Sequence, residues 1–142
     1  MIKTLNWTPP KNWLRIKTID LHTGGEPLRV YLDGLPEIPG KTILEKRRFF
    51  RNNYDHIRTG TMFEPRGHAD MYGAVITEAT TEDADFGTFF LHNEGYSTMC
   101  GHAIIALTKL IFLVLLALLS SSRIASAASL VPMEVKTAVA GK

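Results

Sequence analysis

Residues 93–106 place the only cysteine of the chain, Cys100, between a predicted strand and a predicted apolar helix. A thiol at a helix N-terminus lies near unpaired backbone N–H groups and the positive end of the helix dipole, which lower its pKa. Such a thiolate can act as a base or a nucleophile near neutral pH. The same N–H groups can bind a substrate carboxylate. Cys100 is therefore a candidate catalytic residue, and a buried structural cysteine is the alternative.

Gly101 and His102 follow Cys100 at the predicted helix start. Gly101 would let a ligand approach the backbone closely, and His102 can donate a hydrogen bond to it. Both residues are therefore candidates for contact with a ligand. The five histidines include no pair spaced i, i+4, and a single cysteine gives little support for a zinc site, so no metal is predicted. No nicotinamide, flavin or pyridoxal cofactor is predicted either, because no matching motif occurs.

Two other segments combine residues that are able to bind ligands. Residues 22–26 read His-Thr-Gly-Gly-Glu, which is either a glycine-rich ligand loop or a turn between two strands. Residues 64–70 read Glu-Pro-Arg-Gly-His-Ala-Asp and bring acid, base and imidazole together. A solvated loop with an internal ion pair is the alternative there.

The composition is that of one globular domain. The chain has 142 residues, of which 45% are hydrophobic and 21% are charged. The formal net charge of +2 is too small to indicate a nucleic-acid partner. One cysteine excludes an intrachain disulfide and fits a reducing compartment. The first residues lack an apolar run of the signal-peptide kind, so no secretory signal is predicted. A cytoplasmic location is predicted.

The pattern of apolar residues predicts a mixed fold. Strands are expected at residues 17–21, 28–32, 71–77 and 86–92, and a helix at 43–58 with Thr42 and Glu45 forming a capping box. A second helix should begin near residues 99–102. This order predicts an α+β domain whose sheet wraps around a central helix.

Residues 110–119 form an uninterrupted apolar run, LIFLVLLALL. As a helix it would reach about 15 Å, half of a bilayer's hydrocarbon core of about 30 Å. Three interpretations stay open: a buried helix, a weakly membrane-associated tail, or hydrophobic sequence with no evolved role. If the run is a helix covered by only one lobe's strands, we expect an exposed apolar stripe.

Four segments of the sequence resemble the proline racemase family: IDLHTGGEPLRV (19–30), KRRFFRNNYDHIR (46–58), MFEPRGHADMYGAV (62–75) and FFLHNEGYSTMCGHAIIAL (89–107). The MCGH motif at 99–102 is the most specific of these elements. The resemblance implies one lobe of the two-lobed proline racemase/diaminopimelate epimerase-like fold, with the site in the cleft where two helix N-termini face each other. It divides the chain into a loose leader (1–15), an N-terminal lobe (16–107) and an apolar helix with a divergent tail (108–142). The second lobe is missing, so a truncated form is expected.

The resemblance also implies the chemistry. Within the family, the wording HNEGYSTMCGH is most similar to members that dehydrate trans-3-hydroxy-L-proline to pyrroline-2-carboxylate, a cofactor-independent hydro-lyase reaction. Carried over, Cys100 is the base that removes the α-proton, and Gly101 and His102 hold the substrate carboxylate. Racemases and epimerases of the family place a second cysteine in the other lobe.

Alternatives follow from the length of the chain. One is an inactive single lobe that acts as a binding or membrane-associated module through residues 110–119. Another is a proline racemase or hydroxyproline epimerase, if a second cysteine-bearing lobe is supplied. A homodimer could bring two Cys100-bearing helices together.

Overall fold

The structure, a computed structural model, describes residues 8–121 and 137–139. Six strands and three helices follow one another in these residues: β1 (Lys17–Thr23), β2 (Glu26–Asp33), α1 (Ile43–Asn53), α2 (Asp55–Met62), β3 (Tyr72–Thr77), β4 (Phe86–His92), β5 (Gly95–Ser97), α3 (Gly101–Ser121) and β6 (Thr137–Val139). The predicted α+β class is confirmed, and the four predicted strands correspond to β1, β2, β3 and β4.

The strands form one sheet in the order β1-β2-β3-β4-β5, and β6 pairs with β4. β1 and β2 are antiparallel, as are β3 with β4 and β4 with β5. β2 and β3 are parallel, so the chain crosses over between them, and α1 and α2 lie in this connection. Parallel neighbours need such a crossover because a tight turn can join only antiparallel strands.

The sheet separates two apolar cores, because side chains alternate between its faces along each strand. Tyr31 and Phe89 point to the core that contains Phe50 of α1. Val30 and Phe90, their neighbours in sequence, point to the core that contains Leu107 of α3. The sheet therefore has α1 and α2 on one face and α3 on the other.

The prediction of a single helix over 43–58 is wrong, because the helix is interrupted at Tyr54. This residue has φ −126° and ψ 19°, outside the helical region, and its N–H still bonds to the Phe50 carbonyl at 2.7 Å. Before it, the Asn53 side chain donates to the Phe49 carbonyl at 2.9 Å, which competes with continued helix geometry. α2 then restarts the helix and ends at Met62, beyond the predicted end.

The predicted start of α1 is confirmed. The Thr42 side chain accepts a hydrogen bond from the Glu45 N–H at 3.2 Å, as an N-cap should. The Glu45 carboxylate accepts a hydrogen bond from the N–H of Lys41 at 2.7 Å. In the standard capping box the donor is the N–H of the N-cap residue, which here is Thr42, one residue later.

Helix α3 continues from the buried core into the apolar run. Leu107 is completely buried, whereas Phe112, Leu113 and Leu116 are about half exposed (53%, 51% and 52%). Phe112, Leu113 and Leu116 form the exposed stripe that we expected on α3, and Val114 on another side of the helix is also half exposed (50%). The expected boundary between residues 107 and 108 falls inside this helix, and most of the predicted tail lies outside the described residues.

None of the helices within the described residues is long and apolar enough to cross a membrane.

Candidate active site

Cys100 is the residue that caps the start of α3. Its carbonyl accepts the first helical hydrogen bond from the Ile104 N–H at 3.1 Å. Its side chain is 5% exposed and packs in the α3 core beside Ala103 and Leu107. The apolar periodicity of α3 explains this position, because the buried residues on the first turns carry the helix start against the sheet.

The Cys100 sulfur contacts the imidazole of His102. The Sγ atom lies 3.4 Å from Nδ1 and 3.6 Å from Nε2, within hydrogen-bond distance for sulfur. The backbone N–H of Ala103 also bonds to the sulfur. The Ala103 N–H is a donor and favours the thiolate form, whereas the direction of the hydrogen bond between the sulfur and His102 depends on which imidazole nitrogen carries the proton.

The expectation of a lowered thiol pKa is wrong for this structure. Burial raises the pKa of Cys100 above its usual value, and the hydrogen bond from the Ala103 N–H offsets this only in part. The physical reason is that α3 begins against the apolar core, and desolvation penalises the charged thiolate. The helix terminus by itself therefore leaves Cys100 a weak acid.

Gly101 leaves space beside the thiol. Apart from its two chain neighbours and the backbone of α3 itself, a Cβ atom built at this residue would meet no atom within 4 Å. The first N–H groups of α3 have no partner within the helix, as at every helix start. A small carboxylate can therefore approach the backbone here, next to Cys100 and His102, and the three predicted site residues lie together.

The turn between β1 and β2 is hydrogen-bonded to the start of α3. Thr23 donates its hydroxyl to the His102 carbonyl at 2.9 Å. Gly24 and Gly25 form the two-residue turn with φ values of 61° and 101°, which suit glycine at both positions. Residues 22–26 are thus a strand turn, and this turn borders the start of α3.

Sequence reasoning missed Tyr72, which contacts the site from the sheet. Its ring meets His102 edge to face at a centroid distance of 5.0 Å and stacks on His92 at 5.2 Å. Tyr72 is directly paired with His92 across β3 and β4. The strand register could have found this pair, but the approach of α3 could not be predicted from local sequence.

A second group that the sequence did not reveal supports the loop before Cys100. Arg58 forms an ion pair with Asp55 at 2.7 Å and donates to the carbonyls of His92 and Asn93 at 3.0 and 2.7 Å. Tyr96 donates to the same Asp55 carboxylate at 2.8 Å. These bonds lower the pKa of Asp55 and raise that of Arg58, each with its partner as the main cause. They hold the β4–β5 turn, which leads into the cysteine.

Residues 64–70 are held from outside the segment. The guanidinium of Arg29 donates to the carbonyls of Thr61 and Arg66, both at 2.6 Å, while pairing with Asp20 at 2.7 Å. The expected internal ion pair is not among the ion pairs of the described residues. This segment is anchored to the sheet by Arg29.

Within the described part of the chain, no group of three histidine, cysteine or acidic residues is arranged to hold a metal ion.

An α+β lobe with a cysteine and a histidine at the N-terminus of its central helix is the arrangement that the sequence resemblance implied. The profile described as proline racemase matches residues 18–135, so the chain belongs to the proline racemase family. The matched range continues past Leu107, where the resemblance visible in the sequence ended.

Two relatives and one solved structure agree with this assignment. A trans-3-hydroxy-L-proline dehydratase of Colwellia psychrerythraea is 54% identical over 111 residues, which cover 76% of this chain and 31% of that protein. The human trans-3-hydroxy-L-proline dehydratase is 59% identical over 94 residues, covering 66% and 27%. A probable proline racemase of Agrobacterium radiobacter with bound carbonate superposes with a TM-score of 0.66 at 26% identity, covering 88% of this chain and 35% of that one. The chain thus spans about three tenths of the length of the two relatives.

Proposed function

We propose that this chain carries the first half of the active site of a cofactor-independent trans-3-hydroxy-L-proline dehydratase, with Cys100 as the base that removes the α-proton. The proposal is supported by the names of relatives at 54% and 59% identity. The observation that carries it is the sulfur of Cys100 at the start of α3, 3.4 Å from His102 and beside the open space at Gly101.

The substrate carboxylate would bind the free N–H groups at the start of α3, with Gly101 allowing close approach. The α-proton of an amino acid is very weakly acidic, so the site must stabilise negative charge that develops toward the carboxylate. Fixed N–H dipoles do this without reorganising.

Cys100 as thiolate would take the α-proton, and the electron pair left on the α-carbon would form a double bond to the adjacent carbon. The C–O bond there breaks, the departing hydroxide takes a proton from solvent and leaves as water, and Cys100 returns the α-proton to solvent to restore the thiolate. The resulting enamine tautomerises to pyrroline-2-carboxylate. Since burial disfavours the thiolate, the Ala103 N–H and a His102 tautomer that donates to the sulfur would be needed to make this base available.

We also propose the lobe boundaries stated above, with residues 16–107 as the unit that carries Cys100. The other face of the substrate would be contacted by residues that this lobe does not supply. A cysteine there would allow racemisation or epimerisation, so product analysis decides among these reactions. The single cysteine supports the proposal of a cytoplasmic location.

The test uses the full chain and a chimera in which its residues 18–107 replace the matched segment of the Colwellia dehydratase. Both are incubated with trans-3-hydroxy-L-proline in deuterated water, and pyrroline-2-carboxylate and α-deuterium are measured. We expect the chimera to form product and its Cys100→Ala variant to lose at least about 100-fold in rate, as for a general base.

Cys100→Ser provides a matched control of similar size, with a hydroxyl too weakly acidic to replace the thiolate. Full turnover by Cys100→Ala would remove the cysteine from the mechanism. Racemised proline or epimerised hydroxyproline in place of pyrroline-2-carboxylate would reassign the reaction within the family.

A second candidate function, a binding module, is favoured by the half-exposed Phe112, Leu113 and Leu116 on α3. An apolar stripe of this kind is typical of contact with another protein or a lipid surface. Self-association and adsorption to vesicles by the full chain would support it.

A further inference from the structure

Tyr72 has a position fixed by two neighbouring strands. It begins β3 and is paired with Leu28 of β2 on one side and His92 of β4 on the other. Its ring packs against the core that contains Cys100. A side chain held between two ladders in a packed core has little freedom to change direction.

The orientation of the His102 imidazole depends on a contact from outside its own helix, because few contacts within α3 restrict the rotation of the ring. It lies on the first turn of α3 and is only partly buried. Its carbonyl is held by Thr23, but that bond leaves the ring free to rotate. The ring contact that the structure gives it from the sheet is the edge-to-face contact with Tyr72, at 80° between the ring planes.

His92 completes the arrangement from the other side of Tyr72. The two rings stack at 29°. The Glu94 N–H donates to His92 Nδ1 at 3.2 Å, which leaves the ring proton of a neutral His92 on Nε2. Burial lowers the pKa of His92, which favours the neutral ring that stacks without repelling its neighbours.

We infer that Tyr72 is a positioning residue that holds the His102 imidazole against the Cys100 sulfur, and that His92 holds Tyr72 in turn. The inference rests on the proposed role of Cys100 as base. The rings of His92, Tyr72 and His102 form a continuous row that ends at the thiol. A ring held in this place keeps one imidazole nitrogen within reach of the sulfur, and with its proton on that nitrogen it would stabilise the thiolate.

The test measures the thiol directly in the full chain. Because the chain has one cysteine, incorporation of [13Cβ]cysteine gives a single resonance, and its pH titration reports the Cys100 midpoint without any need for turnover. The variants are Tyr72→Leu, Tyr72→Phe, His102→Leu and the double variant Tyr72→Leu with His102→Leu.

We expect His102→Leu to raise the midpoint by about one pH unit, equivalent to a tenfold loss of thiolate at neutral pH. Tyr72→Leu should give at least about half of that rise, and Tyr72→Phe should match the parent because the ring is kept. In the His102→Leu background, Tyr72→Leu should have no further effect, since Tyr72 acts through His102.

An equal effect of Tyr72→Leu with and without His102 would overturn the inference, because it would show a general change in burial. A second measurement needs no variant and serves if one of them does not fold. It records nuclear Overhauser effects between the Tyr72 and His102 rings in the parent chain, and their absence would also overturn the inference. If Cys100 is not the base, the Cys100→Ala variant of the chimera will turn over at the parent rate. That result would overturn the proposed function and leave the thiol measurements on Tyr72 and His102 unaffected.

Discussion

At Cys100 the surroundings act on the sulfur in opposite directions. Burial against the sheet raises the thiol pKa, while the Ala103 N–H bonds to the sulfur and lowers it. The net effect is a raised pKa, so the folded chain favours the neutral thiol more than the unfolded chain does. The chain therefore favours the protonated thiol, and the base role proposed above requires that this proton be lost before the reaction.

This balance predicts how stability depends on pH. A pKa that is raised on folding gives a contribution that is fully present below the unfolded pKa of about 8.5 and is lost as pH rises through the folded pKa. The free energy of unfolding, measured in urea between pH 7 and 10, should fall more steeply for the parent than for Cys100→Ala, which has no thiol to titrate. Parallel pH profiles for the two proteins would contradict this prediction.

The Asp55–Arg58 pair is a second residue-scale case. The Arg58 side chain is 9% exposed and that of Asp55 is 40%, so solvent screens the pair only in part. Asp55→Asn should reduce the free energy of unfolding at pH 7 by about 1–2 kcal/mol, because the buried guanidinium loses its charged partner. Lys17→Gln, which removes a pair between exposed side chains, should change it little.

The sign of the Asp55 effect with pH also follows. Because Arg58 lowers the pKa of Asp55, its contribution is present above the unfolded carboxyl pKa and is lost as pH falls through the folded one. The parent and Asp55→Asn should therefore converge in stability in acid. A difference that stays constant below pH 3 would show that the asparagine disturbs packing instead.

At the scale of elements, α3 has two parts with different surroundings. The first turns are buried against β1, β2 and β3, whereas the later turns leave Leu113 and Leu116 about half exposed. The double variant Leu113→Asp with Leu116→Asp should keep the fold and reduce self-association, as followed by circular dichroism and sedimentation velocity. Leu107→Asp is the matched control and should unfold the lobe, since it places a charge in the core.

If the double aspartate variant unfolds as Leu107→Asp does, the later turns belong to the core. Binding of the parent to anionic vesicles, lost in the double variant, would instead identify a lipid surface as the partner of the stripe.

The elements were predictable from sequence where local rules decide them. The pattern of apolar residues identified four strands, and Thr42 with Glu45 identified the start of α1. The break at Tyr54 was not predicted, because the residues around it allow a helix; in the structure the Tyr54 ring packs edge to face against Phe50 at the bend. β5 was missed because Gly95 looked like a strand end, although its φ of 152° allows the chain to turn back onto β4.

At the scale of the whole molecule, the candidate site is assembled from distant parts of the chain. Cys100, Gly101 and His102 are consecutive, which is why sequence reasoning found them together. Thr23 and Tyr72 come from β1 and β3, and only the sheet order brings them to the start of α3. Local patterns carry no information about that order, so these two contacts could not be predicted.

The lone buried cysteine also allows local opening of the helix start to be measured by chemical labelling. A bulky disulfide reagent cannot reach a sulfur that is 5% exposed unless the first turn of α3 separates from the sheet. When the reagent is concentrated enough for labelling to outpace reclosing, the labelling rate of the native chain measures how often that separation occurs. Its dependence on denaturant distinguishes local opening from global unfolding. With no second thiol in the sequence, every labelling event counts one opening of the helix start on which the proposed chemistry depends.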